Sequence, residues 1–264
     1  MKGDNAKSIG PRWLERLFAG FPKLERDGRI ELTRVIETGA QGGADYVVMM
    51  LLSSSLASLG LIQGATAVVI GAMLVAPLMG PLVGAGLALV QGNFRFFRES
   101  IGVVLLGIGI ALAVSVFIGL LNPGFEPSLE IEARGTPDLF DLGIAFASGM
   151  AAAYALGRPN VAGTLAGVAL AAALVPPLAV VGIAITNGLP WLAGNAGVLL
   201  VTNLVAIILG AAIIFRLFEV QGTSNQGAAN AWTRKVTLSL TLVAVLLAAP
   251  LFVQMIEKRR TGQA

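Results

Sequence analysis

Seven stretches of this chain are long, apolar and almost free of charge: 45–62, 64–90, 99–121, 138–156, 161–186, 193–215 and 236–256. A run of roughly 20 apolar residues crosses the hydrocarbon core of a bilayer as a helix. Inside lipid only helices and closed barrels satisfy every backbone polar group. The sequence therefore predicts an all-α integral membrane protein with about seven transmembrane helices. Composition agrees, because 12% of the residues are charged, against about 25% in soluble domains. The charges that do fall in the spans, Asp45, Glu99, Asp138 and Asp141, sit at span ends, where capping or solvation explains them.

The chain also resembles itself. Shifted by 100 positions, Ala72-Met73-Leu74-Val75-Ala76-Pro77-Leu78 falls on Ala172-Ala173-Leu174-Val175-Pro176-Pro177-Leu178, with five of seven residues identical. Asp45 and Asp141 open spans one and four, and Gly60 and Gly157 close them. The segments are then 44–121 for repeat one, an acidic external loop at 122–137, 138–217 for repeat two, and a seventh, extra C-terminal helix at 236–256. Each repeat holds three helices, an odd number, so the second copy starts on the opposite side of the membrane. The two three-helix repeats are expected to be inverted, an arrangement found in transporters and some channels.

Four prolines lie near the middle of the second helix of each repeat: Pro77 and Pro81, then Pro176 and Pro177. Proline lacks an N–H and clashes with the carbonyl four residues earlier. The carbonyls expected to be freed are those of Met73, Pro77, Ala172 and Ala173. A bare carbonyl in lipid costs several kcal/mol, so such groups belong in protein or beside a wet cavity. The expectation is two discontinuous helices whose breaks, at Ala76–Pro81 and Val175–Leu178, face each other and hold a solute or ion. The candidate site is Met73, Ala76, Pro77, Gly80, Pro81, Ala172, Ala173, Pro176 and Pro177, completed by Ser54 and Ser58 on span one and Asn203 on span six. Freed carbonyls favour a cation and half-helix N-termini an anion, so the sign of the ligand stays open. The hydroxyls and Asn203 serve equally well as hydrogen-bond glue between helices.

There is no cysteine and no histidine. Thiol and imidazole chemistry are therefore excluded. With no acid–base pair, nucleophile dyad or metal cluster in view, the chain is expected not to be an enzyme and to need no cofactor or metal.

Of the 18 basic residues, 14 fall on the inner segments and four on the outer ones if the N-terminus is inside. The positive-inside rule then gives a cytoplasmic N-terminus and a place in the cell inner (plasma) membrane. Residues 1–43 carry eight Lys/Arg and six Asp/Glu, and no cleavable signal peptide is expected there. Within them 11–21 reads as an amphipathic helix, lying in the membrane interface or on the protein's own surface. Ile30 to Thr38 is a second, weaker helical stretch.

The segments SSSLASLGLIQGATAVVIGAMLVAPLMGPLVGAGLAL (53–89) and LAAALVPPLAVVGIAI (170–185) resemble a bacterial family of uncharacterised hydrophobic domains, domain-of-unknown-function family 389. The resemblance covers roughly residues 40–220. It implies a multi-span membrane domain and carries no substrate and no catalytic residues.

Together these features predict membrane transport of a small solute or ion, by a secondary transporter or a channel. The alternative is a membrane scaffold or sensor whose N-terminal segment binds a partner. The expected partners are the lipid bilayer, the solute and further copies of the chain, since glycine-rich helix faces favour a homo-oligomer. Nucleic acid is not among them.

Overall fold

Helices are the only regular elements among the described residues of the computed structural model, which are 24–123, 127–135, 138–158, 174–220, 232–242 and 244–245. In chain order they are α1 (Arg26–Gly39), α2 (Ala44–Ile62), α3 (Thr66–Val75), α4 (Met79–Gln91), α5 (Phe94–Leu120), α6 (Leu129–Arg134), α7 (Leu139–Leu156), α8 (Val175–Thr186) and α9 (Pro190–Leu217), followed by α10 over 232–242. The amphipathic stretch at 11–21 lies outside the described residues.

Four of these helices, α2, α5, α7 and α9, are long and apolar enough to cross a membrane. The pair α3–α4 passes the same test together and is bent by 53° at its break. Of the seven expected spans, five are thus represented. The other two, 161–186 and 236–256, lie only partly within the described residues, as α8 and part of α10. The protein is a helical membrane protein, and large apolar side chains such as Leu52, Leu105, Phe117 and Phe140 stay exposed on its outer surface, where lipid would meet them.

Local signals fix the helix ends. Asn93 caps α5 by accepting from the Phe96 N–H at 3.1 Å. Asp138 and Asp141 form a capping box at the start of α7, so Asp141 has a structural use. Asp45 is exposed in the first turn of α2. The turns that follow α4 and α8 are alike. Gly92 (φ 67°) and Gly188 (φ 69°) both take the left-handed conformation open to glycine. The next residue donates back in each, Asn93 to the Ala88 carbonyl and Leu189 to the Ala184 carbonyl, both at 2.9 Å.

The core is built where α7 packs on α9 and where helices distant in the chain cross. α4 packs on α9, and α8 packs on α5. At the first crossing Gly86 lets the Ala211 methyl and the Ile208 carbonyl come close; at the second Gly182 admits Ser115 and the Val116 backbone. A side chain at either glycine would overlap its neighbour. Two shorter helices cover parts of the bundle: α1 lies along α4 through Leu32 and Ile36, and α6 touches α8 and α9, with Ile131 buried. α10 is anchored at the α4–α5 turn, where Trp232 packs edge-on against Phe94 and Phe97 and Thr233 donates to the Leu89 carbonyl.

Pro77 and Pro177, which the offset of 100 pairs, occupy different helix positions. Pro77 sits in the break between α3 and α4, whereas Pro177 is the third residue of α8. The residue at that place in α4 is Pro81. Residues with equal positions in the two helices are 96 apart, as are Gly86 and Gly182, Gly92 and Gly188, and Asp45 and Asp141.

Candidate functional site

α3 stops at Val75 because Pro77 has no N–H to give the Met73 carbonyl, and the residue before a proline is pushed out of the helical region. Ala76 accordingly takes an extended conformation (φ −67°, ψ 123°). The chain turns and restarts as α4 at Met79, with Leu78 as its N-cap residue. The expected departure from helix at Ala76–Pro81 is thus confined to 76–78.

The expected departure at Val175–Leu178 is overturned. Those four residues are helical, and the irregular residue is Leu174 (φ −124°, ψ −49°) just before them. Pro176 and Pro177 occupy the second and third positions of α8, and Pro81 the third position of α4. The first-turn N–H groups of a helix have no intrahelical partner, so a proline there removes no hydrogen bond. Pro81, Pro176 and Pro177 thus sit in first turns, and among the described residues Pro77 is the proline that follows a helix and ends it. Ala172 and Ala173 lie outside the described residues.

The break and the start of α8 line one cavity of about 330 Å³. Leu74, Ala76, Pro77, Leu78, Met79 and Gly80 come from the break, and Leu174 and Val175 from the start of α8. Val35, Ile36 and Gly39 of α1 and Leu156 of α7 close its sides. Gly80 is pressed against the Gly39 carbonyl, so a Cβ there would overlap backbone. Among the residues lining the cavity none is charged.

Of the candidate site residues, Ala76, Pro77 and Gly80 line this cavity, and Met73 and Pro81 lie buried in the turns beside it. Ser54, Ser58 and Asn203 do not line it. Ser54 donates to the Met50 carbonyl of its own helix at 2.6 Å. Ser58 donates to Ser115 at 3.1 Å, which donates to the Ala111 carbonyl at 2.6 Å, at the place where Ser115 meets Gly182. These serines tie α2, α5 and α8 together. Asn203 is buried on α9.

The hydroxyl that serves the break is Ser53. It donates to the Ala72 carbonyl at 2.8 Å and is fully buried. It satisfies an acceptor in the last turn of α3 and holds that helix end. Neighbouring Ser54 and Ser58 share one helical face, and that spacing drew attention away from Ser53. The contributions of α1 were also missed. The signal available was Leu32 and Ile36, four apart and followed by Gly39.

Residues 73–209, more than half of the chain, match the family described as Domain of unknown function (DUF389). The chain belongs to that family. The matched DUF389 region begins in α3, just before the break, and ends in α9, so it includes both ends of α4 and α8 that meet the cavity. A relative outside the bacteria exists: an uncharacterized protein of Methanocaldococcus jannaschii is 28% identical over 229 residues, 87% of this chain and 69% of that protein. The expectation of a bacterial family is corrected accordingly, since this relative is archaeal. No solved structure matches the chain.

Proposed function

We propose that this protein moves a small solute across the membrane through the cavity at the α3–α4 break, and that the cavity lies on a pseudo-twofold axis between two inverted halves. The observation that carries the proposal is the shared lining. Under a shift of 96, Leu78 pairs with Leu174 and Met79 with Val175, and all four line the same cavity. Two pairs that exchange under the shift and meet in one space are what an axis passing near that space would give. The core crossings obey the same exchange, because Gly86 against Ala211 becomes Gly182 against Ser115. Such reciprocity is what a twofold operation imposes on an interface.

The sequence supports the register too. Between 71–92 and 167–188, nine of 22 positions are identical at a shift of 96, from Gly71 and Gly167 to Gly92 and Gly188. Gly39 and Gly135, which end α1 and α6, are also 96 apart. The repeat is then a short covering helix followed by three passes, and each covering helix leans on the half-helix of its own repeat, α1 on α4 and α6 on α8. Three passes per half place the axis in the membrane plane. Discontinuous helices meeting at such an axis are the usual place for a transported solute.

The test is flux. Purified protein in liposomes, screened with small solutes and ions, is expected to admit at least one faster than empty liposomes do, and Ala76→Leu, which fills the cavity, is expected to abolish that gain. A screen in which no solute gains over empty liposomes overturns the proposal.

A further inference from the structure

The cavity has a chemical bias, set by which backbone groups its prolines delete. Half-helix N-termini ordinarily make anion sites, because the first-turn amides point out of the helix end. Here the first-turn positions are Met79, Gly80 and Pro81 on α4 and Val175, Pro176 and Pro177 on α8. Half of these positions lack an N–H, and α8 keeps one donor. Proline deletes donors and leaves every acceptor in place.

The acceptor side is intact. Among the described residues no hydrogen bond beyond the Ser53 contact to Ala72 reaches the carbonyls of the segment from Ala72 to Pro77 from outside α3. Leu74, Ala76 and Pro77 of that segment line the cavity. The C-terminal end of α3 adds its negative dipole end to the same place.

Among the described residues no charged side chain lines the cavity, and the 15 residues that precede Leu174 in the sequence, 159–173, contain no Asp, Glu, Lys or Arg. An ion held there meets no countercharge among the described lining residues, and the effective penalty for burying one unpaired is several kcal/mol. An apolar wall with exposed acceptors suits a solute that is uncharged, partly apolar and a hydrogen-bond donor. At about 330 Å³ the space lies at the small end of ligand pockets.

We infer that this cavity binds a small uncharged solute that donates hydrogen bonds, and that its prolines select against anions; the inference rests on the cavity being the solute site.

The natural absence of cysteine makes a direct test possible. A single Met79→Cys variant of the full chain is labelled with N-ethylmaleimide, alone and with acetamide, 1,3-propanediol, formate, nitrate or methylammonium. Acetamide or propanediol is expected to slow labelling about threefold at twice its dissociation constant, and the ions are expected not to. In a Met79→Cys background, Pro81→Ala with Pro177→Ala restores two amides and is expected to add protection by formate or nitrate. Three results overturn the inference: stronger protection of the parent variant by an ion, protection by none of the probes, or no labelling under any condition. Flux is read separately. A neutral probe that protects the introduced thiol but crosses liposomes no faster with protein than without sinks the transport proposal and leaves the ligand class standing. Crossing by anions alone does the reverse.

Discussion

The two proline-bearing segments are chemically similar and structurally different. At 76–78 a proline arrives after ten residues of helix, ends it and bends the path by 53° before a second helix begins. At 174–177 two prolines arrive at the first turn of a helix and start it. Pro77 ends the helix before it, whereas Pro176 and Pro177 occupy the first turn of α8, where a missing N–H removes no bond within the helix that they begin. The comparison also shows what a break requires. The segment at 76–78 has a serine donating to the end of α3, a covering helix pressed on Gly80 and a neighbouring half-helix across the cavity.

The largest effect is expected where α1 seals the break. Gly80→Val places a side chain on the Gly39 carbonyl, which is backbone and yields only if α1 moves. The expected loss is at the top of the about 1–3 kcal/mol range for overpacking, read by thermal unfolding in detergent together with faster proteolysis within α1. Gly71→Ala is the control, since no heavy atom lies within 4 Å of the added methyl; it is expected to be neutral or stabilising. Equal losses in the two variants would mean that α1 does not rest on Gly80.

Next comes Ser53. Ser53→Ala leaves the Ala72 carbonyl buried without its side-chain donor, at a cost of about 1–3 kcal/mol. Ser54→Ala removes a bond to a carbonyl inside its own helix and is expected to cost under about 0.5 kcal/mol. Reversed magnitudes, measured by the same unfolding assay, would return Ser54 to the site and remove Ser53 from it.

The smallest effect on stability, and the sharpest on geometry, is expected from the prolines themselves. Pro77→Ala restores the N–H that Met73 lacks and is expected to straighten α3–α4, lengthening the distance between spin labels placed near Thr66 and Gln91. Pro177→Ala changes a first-turn position and is expected to leave the backbone of α8 as it is, with stability within about 1 kcal/mol of the parent. If both variants straighten their segments, the distinction between breaker and initiator fails.

Much of this was legible in the residues. The apolar runs announced helical membrane spans, and Pro77 marked the break to within a residue. Asp138 and Asp141 read as span-end residues and proved to be a cap. Three features were not legible. Identity over seven residues favoured an offset of 100, because Ala, Leu and Val recur everywhere in such helices; the first residues of α4 and α8 lie 96 apart. Helical spacing shows that Ser54 and Ser58 share a face and says nothing of what that face meets, which is Ser115 for Ser58 and the helix's own carbonyl for Ser54. The region of α1 read as a weak helical stretch leading into the first span, and it lines the cavity through Val35, Ile36 and Gly39.

The sequence by itself determined the solvent and the elements, since long uncharged runs leave a chain in lipid no choice but helix. It also determined where a helix must stop, because a proline's missing N–H is a local fact. Tertiary structure alone decided which carbonyl each serine satisfies, which glycine meets which helix, and that the starts of α4 and α8 share a cavity beneath α1. Those are matters of contact between residues far apart in the chain, as Gly80 is from Gly39 and Gly86 from Ala211, and no local pattern encodes the distance between two helices that only packing brings together.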